Sequence, residues 1–494
     1  MNIKTIAKLP KQELPAEWQW SKLGDVADIV AGNPAPQGEQ FFENGTYPFV
    51  RVQDMGRLGT QVRMTDTHDR VNETAIPKLK LFPAGSVLFT KSGASTLLNQ
   101  RAILARDMYV VSHIAAAIPS DTILSEWLYY WLKVIDFNQL AHATTLPSLP
   151  LSQAKEIPVP IAPKEVQANV IAEIEIQFSR LDEAVTSLKR AKANLKRYKA
   201  AFLKAAVEGK LTEEWRKQHP DVEPATELLK RILIERRQKW EEAELAKMRA
   251  KGKEPKDDKW KARYKEPIIT DTEHLQELPS EWMWVSLLTV AVKIQTGPFG
   301  SLLHKEEYVK RGVPLVNPTH ISGQRILADW DLTVLPNKAN SLSKYRMEMG
   351  DIVMGRRGEM GRCASVSEKQ DGWLCGTGSL FIRLIPHMNS LFYSHFLSSK
   401  VIRDYLGENS IGTTMSNLNQ NILRSLPIPL CSEAEQDRIM QDVNYKISII
   451  DKLETYTSSN LQEIEILRQS ILNKAFSGNL KSKYEKLITG LKTK

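Results

Sequence analysis

The chain has 494 residues, with 67 Lys and Arg against 58 Asp and Glu, a net charge of +9 and three cysteines. This length predicts about three or four domains of ordinary size, and the modest basic excess is compatible with an anionic partner without requiring one. The cysteines lack Cys-x-x-Cys spacing, which argues against a disulfide framework or a zinc site, and no apolar run approaches the ~18 residues of a membrane span, so a cytoplasmic protein is expected.

The first predicted feature is a short motif that occurs twice. Residues 14–20 have the pattern Leu-Pro-x-Glu-Trp-x-Trp, and the same pattern returns at residues 278–284. We call this pattern the opening motif. Its recurrence indicates that the chain contains an internal duplication.

Between the opening motif and residue 150, short β-type runs alternate with Gly, Pro and Asn turn signals. The same plan returns in the second half. This organisation predicts an α+β domain in each half. The predicted strands are residues 47–52, 87–90, 313–316, 351–354 and 379–383, and the predicted helices are residues 126–135 and 390–405.

A longer block closes each half. Residues 144–211 align without a gap with residues 413–480, at a constant shift of 269. A proline pair ends each domain in an extended segment, after which a helix begins. The matched pairs include Thr144 with Thr413, Thr145 with Thr414, Pro158 with Pro427, Pro160 with Pro429, Gln167 with Gln436, Asp182 with Asp451, and Gly209 with Gly478.

Each predicted helix carries a heptad seam, with apolar residues at alternating steps of three and four. At ~1.5 Å per residue each helix could extend on the order of 65 Å, so we expect the two helices to pair as an antiparallel coiled coil. The alternative is that each helix packs on its own domain. In the middle of the second seam, Leu453, Tyr456 and Leu467 are predicted to replace the shifted positions. The apolar seam residues are Ile171, Ile174, Phe178, Leu181, Val185, Leu188, Leu195, Phe202, Val443, Ile447, Ile450, Leu461, Ile464 and Ile471.

The predicted organisation has six segments, of which residues 251–259 within the third are expected to be solvated and partly flexible. It places a first domain at residues 1–157, a first helix at 158–211, a charged helical linker at 212–275, a second domain at 276–426, a second helix at 427–480 and a basic tail at 481–494.

No catalytic or metal motif is found. Residues 317–320 lack the second proline and the aromatic residue of a DNA methyltransferase tetrad, and the glycine-rich residues 355–361 lack the lysine of a phosphate-binding loop. Cations beside glycines at 91–93 and 356–358 occupy equivalent places, and such turns can approach a nucleic-acid backbone or groove. For each of these residues a solvated surface role is equally open. The candidate DNA-contacting residues are Arg51, Gln53, Arg57, Arg63, Lys91, Ser92, Arg101, Asn317, His320, Arg325, Arg356, Arg357 and Arg362.

With these features in order, the chain resembles a specificity subunit of a type I DNA restriction-modification system over nearly its whole length. The opening motifs, the Gly-Pro-Phe-Gly-Ser turn at 297–301, the 350–358 segment and the proline-then-Gln helices carry the resemblance. It implies two target recognition domains separated by two long antiparallel helices, with pseudo-two-fold symmetry, and a split double-stranded DNA target.

The resemblance also implies partners and excludes a reaction on this chain. Two methyltransferase subunits and the restriction subunits are expected partners, and S-adenosylmethionine, ATP and Mg²⁺ are expected on those partners rather than here. Two other classes stay open: a protein-binding scaffold with duplicated domains, and a stand-alone nuclease, which the missing metal constellation disfavours.

Overall fold

A computed structural model describes residues 13–93, 99–137, 148–252, 254–255, 257–267, 275–299, 302–356, 361–409 and 420–480. The chain divides into two compact units, which are residues 1–192 with 455–494, and residues 193–454. Each unit therefore takes one mixed α/β domain and a part of each long helix. Thr144, Thr145, Thr413, Thr414, Arg357 and the tail at 481–494 lie outside the described residues.

The first domain contains a five-stranded sheet in the order β2-β10-β7-β8-β4 and a four-stranded sheet in the order β5-β3-β9-β6. Its strands are β1 (Gln19–Lys22), β2 (Ala27–Ala31), β3 (Tyr47–Val50), β4 (Arg63–Met64), β5 (Asp69–Val71), β6 (Leu81–Phe82), β7 (Val87–Thr90), β8 (Arg101–Leu104), β9 (Met108–Val110), β10 (Ile114–Pro119) and β11 (Pro158–Ile161). Its helices are α1 (Leu23–Val26), α2 (Val52–Arg57), α3 (Ser125–Val134) and α4 (Leu151–Lys155).

The inner strand β10, which lies between β2 and β7, separates two cores in this domain. Because side chains alternate along a strand, Ala115 and Ala117 pack beside α3 and the long helices, whereas Ile114 and Ala116 pack beside the second sheet. Alanines fit a strand that is covered on both faces. The predicted helix at 126–135 is confirmed as α3, whose residues from Trp127 to Leu132 are all buried.

The first long helix, α5 (Lys164–Val207), follows this domain. The charged linker after it contains two helices, α6 (Glu213–Gln218) and α7 (Ala225–Ala250). Ala225, Leu228 and Ile232 of α7 enter the core of the second domain. The described residues from Lys251 to Lys259 are exposed apart from Pro255, and the chain then returns to α7, where Trp260 stacks on Trp240. The linker is thus solvated at its turn and packed on both sides of it.

The second domain repeats the architecture, with sheets in the orders β13-β22-β19-β20 and β14-β18-β15-β21. Its strands are β12 (Met283–Ser286), β13 (Ala291–Thr296), β14 (Tyr308–Val309), β15 (Val313–Val316), β16 (Ile321–Ser322), β17 (Arg325–Ile326), β18 (Thr333–Val334), β19 (Ile352–Gly355), β20 (Cys363–Ser365), β21 (Leu374–Cys375), β22 (Ser379–Leu384) and β23 (Pro427–Leu430). Its helices are α8 (Leu287–Val290), α9 (Pro336–Ser341), α10 (Ser390–Leu397), α11 (Lys400–Asn409) and α12 (Gln420–Arg424), and α13 (Glu433–Phe476) follows.

The two repeated motifs of each half contact each other. The opening motif runs into β1 or β12, and the proline pair forms β11 or β23. In the first domain Lys22 pairs with Pro158, and in the second Ser286 pairs with Pro427. The predicted helix at 390–405 is interrupted at Ser398 and Ser399, which separate α10 from α11.

The repeated glutamine explains how each long helix is attached to a domain. Gln167 and Gln436 are fully buried at the starts of α5 and α13. Gln167 accepts a hydrogen bond from Leu124 N (2.9 Å) and donates to Ala162 O (2.8 Å), while Gln436 accepts one from Asn389 N (2.8 Å) and donates to Cys431 O (2.9 Å). A side-chain amide can satisfy both buried backbone groups, which an apolar residue cannot.

The long helices pair antiparallel within each unit, as predicted. In the first unit Asp182 forms an ion pair with Arg468, and Lys192 Nζ lies 3.1 Å from Ser458 Oγ. In the second unit Lys199 Nζ lies 2.7 Å from Asp451 Oδ1. Residue numbers rise along one helix as they fall along the other, and the two ion pairs are repeat-equivalent. The predicted α+β class with paired long helices is confirmed.

The predicted drift of the second seam is wrong. Leu453, Tyr456 and Leu467 all point to solvent, with Tyr456 66% exposed, whereas Thr457 at the unshifted position is 6% exposed. The polar residues keep their seam positions because partners are available, as Arg468 pairs with Asp182 and lies over the Phe178 ring at 5.1 Å. A shifted seam would break this contact.

Each long helix ends against the opening motif of the other half. Gly209 after α5 and Gly478 after α13 both have φ of +71°, the left-handed conformation of a helix C-cap. A Cβ at Gly478 would lie 2.3 Å from Pro15 Cγ, and one at Gly209 would lie 2.8 Å from Pro279 Cγ. Glycine is therefore needed for both conformation and space.

We expect Gly478→Ala to destabilise the chain by about 2 kcal/mol or more, because left-handed backbone strain adds to the clash with Pro15. Gly252→Ala is the matched control, since Gly252 has φ of +67° and a Cβ there would have nothing within 4 Å. It should lose only roughly 1 kcal/mol. Urea unfolding of the full chain measures both, and equal losses would show that the Pro15 contact contributes nothing.

Candidate nucleic-acid interface

The candidate interface of each domain starts where two parallel strands end. In the first domain β3 and β9 run parallel, with Val50 beside Val110, and in the second β15 and β21 do so, with Val316 beside Cys375. The next residues, Arg51 and Asn317, therefore occupy equivalent positions. Side chains at these positions follow the carboxyl ends of their strands, where connecting segments leave the sheet.

The turn after each of these strands has the same cap made by different side chains. In the first domain Asp54 Oδ2 accepts a hydrogen bond from Arg51 N at 2.8 Å, which is why the predicted strand at 47–52 stops at Val50. In the second domain His320 Nδ1 lies 3.3 Å from Asn317 N. The backbone frame is preserved while the exposed chemistry differs.

A second pair of positions was predicted to be equivalent, and the strand register confirms it. Lys91 follows β7 and donates from its backbone N to His113 O at 3.0 Å, and Arg356 follows β19 and donates likewise to Gly378 O at 3.0 Å. The segments that contain the two acceptors, His113 and Gly378, also hydrogen-bond to the ends of β3 and β15. Val111 N donates to Val50 O at 3.0 Å.

In the second domain these segments approach one another very closely. A Cβ at Gly376 would lie 2.2 Å from Asn317 Oδ1, and one at Gly297 would lie 1.9 Å from Gly376 O. Gly355 and Gly378 both pack on Pro318. These approaches exclude larger side chains and bring Asn317 and Arg356 to the same segment, which we call the strand-end cluster (residues 297–299, 317–318, 355–356 and 376–378).

One residue of this cluster, Phe299, was not among the contact residues predicted from the sequence. Phe299 is 58% exposed, and the guanidinium carbon of Arg356 lies 5.7 Å from its ring centroid. The Gly-Pro-Phe pattern beside an aligned basic turn was the available signal. The other neighbour of Arg356 along the chain, Arg357, lies outside the described residues.

Three of the predicted residues are buried. Arg101 is 3% exposed, lies 3.8 Å over the Phe137 ring and donates to Asn99 Oδ1 at 2.7 Å, and burial lowers its pKa to about 9. It belongs to the core of the first domain and cannot touch a base in this conformation. His320 is 8% exposed in the turn after β15, and Arg356 is 8% exposed beneath Phe299.

Two further predicted residues form ion pairs with helices instead of lying at the strand-end turns. Arg63 forms an ion pair with Glu126 at the start of α3, and Arg325 Nη2 lies 3.8 Å from Asp451 of α13. Both side chains remain at least half exposed. Their partners place them beside helices rather than with Arg51 or Asn317.

The remaining predicted residues are accessible to different degrees. Arg51 forms an ion pair with Asp69 and lies 5.3 Å from the Phe42 ring centroid. Gln53 and Arg57 are exposed on α2, in the turns that follow the strand end. Lys91 and Ser92 are half-buried, with Ser92 Oγ 3.0 Å from His113 Nδ1, and Arg362 is exposed just before β20.

Metal and membrane features are absent from the part of the chain that the structure describes. No group of three or more His, Cys, Asp or Glu side chains there could hold a metal ion. No described helix is long and apolar enough to cross a membrane. Cys363, Cys375 and Cys431 are buried free thiols.

The family model of the type I restriction modification DNA specificity domain matches this chain twice, over residues 15–197 and 279–480. The two matches together cover most of the chain and coincide with the two structural repeats. The chain belongs to this family. Membership confirms the predicted role as a DNA-specificity subunit of a type I restriction-modification system.

Relatives support the same assignment. The chain is 21% identical to the EcoDI specificity subunit of Escherichia coli, over 96% of this chain and 90% of that protein. It is 25% identical to the EcoEI specificity subunit of Escherichia coli, over 91% of this chain and 81% of that protein. It is 28% identical to the MjaIX specificity subunit of Methanocaldococcus jannaschii, but that match spans 41% of this chain and less than half (46%) of the relative.

Solved structures show the fold. The specificity subunit resembles a chain from a study of complex assembly and conformational transition in a type I system, with a TM-score of 0.65, 15% identity and coverage of 94% and 99% of the two chains. It also resembles the HsdS subunit of Thermoanaerobacter tengcongensis, with a TM-score of 0.52, 16% identity and coverage of 95% and 99%. At these identities the likeness concerns architecture, not individual contacts.

Proposed function

We propose that the specificity subunit recognises a bipartite double-stranded DNA site, with each domain contacting one half. The proposal is supported by turns that have the same backbone arrangement in the two domains but carry different side chains. Equivalent capped turns hold Arg51 and Asp54 in one domain but Asn317 and His320 in the other. A common backbone frame with different exposed side chains suits recognition of two different short sequences.

Within that proposal the accessible candidates divide by chemistry. Arg51, Gln53, Arg57 and Asn317 have side chains that can hydrogen-bond base edges, whereas Lys91 acts as a point charge suited to phosphate. Arg362 sits beside the strand-end cluster, and Arg357 stays a candidate from sequence alone. Arg63 and Arg325 are proposed only as contacts to the DNA phosphate backbone, because their ion pairs hold them toward α3 and α13.

The proposed partners are two methyltransferase subunits and the restriction subunits of the same system. Two equivalent surfaces support two copies of one partner, because Gly209 meets Pro279 in one unit as Gly478 meets Pro15 in the other. Exposed apolar side chains on the long helices are suited to protein contacts. They include Ile176, Tyr198, Tyr445, Tyr456 and Ile466.

The chemistry is proposed to reside on those partners, which would bind S-adenosylmethionine, ATP and Mg²⁺, in the cytoplasm where cellular DNA lies. The paired helices are proposed to set the gap between half-sites, because DNA presents the same face about every 34 Å. Helix length would then be a determinant of the target, alongside the two domains.

A retention experiment separates this function from that of a protein scaffold. The full chain, assembled with its methyltransferase partner, is applied at physiological salt to a duplex carrying the motif modified in cells and to a scrambled duplex. We expect binding to the modified motif to be tighter by about a thousandfold or more. Equal retention on both duplexes would favour the scaffold.

A further inference from the structure

We propose that Phe299 is an aromatic wedge that inserts between base pairs of the half-site contacted by the second domain, and that Arg356 is the positioning residue that holds it. The inference rests on the proposed function, because it requires the strand-end cluster to face DNA. It adds a deformation of the DNA to the recognition of base edges.

The base of the Phe299 segment is fixed. Gly297 follows β13 directly, donates from its N to Ser379 O at 3.0 Å, and packs so closely on Gly376 that no side chain fits. Pro298 fixes its own φ and restricts the backbone of Gly297 before it. Phe299 is therefore presented three residues beyond the end of β13 on a restrained segment, which limits the conformational entropy that insertion would cost.

Arg356 supports the ring from below. Its backbone is hydrogen-bonded to Gly378, its side chain is 8% exposed, and its guanidinium carbon lies 5.7 Å from the Phe299 centroid. A cation at this distance attracts the aromatic ring. Because Arg356 is buried and Phe299 is 58% exposed, the ring and not the cation is the group presented to a ligand.

The surroundings of Phe299 favour a nucleic acid as the occupant. Phe299 belongs to the same strand-end cluster as the polar Asn317 amide, since Gly297 packs on Gly376 and Gly376 packs on Asn317 Oδ1. Apolar side chains in such settings can unstack a base step and kink the duplex, at an energy that depends on the sequence being deformed. The wedge would thus add specificity at bases that no side chain hydrogen-bonds.

The first domain lacks this device. Gly32 occupies the place of Gly297, since it donates to Ile114 O at 2.9 Å and packs on Val111 O, and two residues later the chain has Pro34 instead of Phe299. Lys91 stands where Arg356 does. An aromatic insertion is therefore expected in one half-site only, which provides an internal comparison.

The test uses the full chain with its methyltransferase partner and duplexes of the mapped target in which single adenines other than the methylated ones are replaced by 2-aminopurine, whose fluorescence rises on unstacking. We expect the wild type to raise fluorescence at one step of the second half-site. Phe299→Ala should abolish this rise and weaken binding about tenfold, the effect of one lost stacking side chain. Phe299→Trp should keep the rise, and Arg356→Ala should reduce it while Arg356→Lys restores part of it.

Trp330→Ala is the matched control, because Trp330 is an exposed aromatic of the same domain that pairs with Trp373 outside the cluster. It should leave the fluorescence unchanged. Specific binding without any rise, or a rise that survives Phe299→Ala, would overturn the wedge while leaving recognition intact. Failure of the wild type to distinguish target from scrambled duplex would instead refute the proposed function.

Discussion

Replacing residues 23–150 with the corresponding segment of a family member that has another target is expected to change one half of the modified motif and leave the other half unchanged. The first domain has its own cores and its own strand-end turn, so its base contacts should move as a unit. The chosen segment leaves the β1–β11 pair and the buried Gln167 with the chain. Sequencing of modified bases in cells that express the complete system measures the motif.

The reciprocal exchange supplies the control. Replacing residues 287–426 retains β12, β23 and Gln436, and it should change only the other half of the motif. The gap between the halves should stay constant in both chimeras, because neither exchange alters α5 or α13. A change of both halves in either chimera would show that the domains do not act independently.

Removing the Glu435 carboxylate is expected to destabilise the chain by about 3 kcal/mol, because Arg216, whose side chain is 12% exposed, would keep just the ion pair with the exposed Glu281 at 3.5 Å. Glu435 is 2% exposed at the start of α13. It accepts hydrogen bonds from Thr212 Oγ1 at 2.6 Å, from Trp282 Nε1 at 2.8 Å and from Arg216. Urea unfolding of Glu435→Ala and the wild type measures the loss.

Two comparisons isolate the cause of that loss. Lys217→Ala removes an exposed ion pair with Glu213 and Glu214, and it should cost at most about 1 kcal/mol. Glu435→Val combined with Arg216→Met replaces the buried pair by apolar groups and should recover much of the stability. If Glu435→Ala were no worse than Lys217→Ala, the network would not stabilise this region.

The Glu435 network also shows where the two halves differ. The repeat-equivalent residue of the first half is Val166, so only the second unit ties a long helix to an opening-motif tryptophan by a buried carboxylate. Its donors Thr212 and Arg216 lie at the start of α6, the short helix that follows α5.

Features with a local or periodic signal could be predicted from the sequence. The heptad seams predicted the long helices, and the repeat predicted two related domains and the equivalence of Lys91 with Arg356. The glycines at 209 and 478 predicted where the helices end. Each of these signals depends on spacing along the chain, which the sequence states directly.

Features that depend on distant partners could not be predicted. Leu453 and Tyr456 look more suitable for the seam than Thr457, but the ion pairs of Arg468 and Lys199 with distant aspartates hold the helix in the other rotation. Arg101 looked like a surface cation because nothing nearby in sequence reveals the Phe137 ring that covers it. Burial of such groups is decided by tertiary packing, not by residue type.

Recognition of two separate half-sites by one chain can be checked by mapping every modified base in the genome of cells that carry this specificity subunit with its methyltransferase partner. We expect two short defined sequences separated by a fixed stretch of undefined bases, with modification that disappears when this chain is deleted. A single contiguous motif, or modification that persists without the chain, would contradict it.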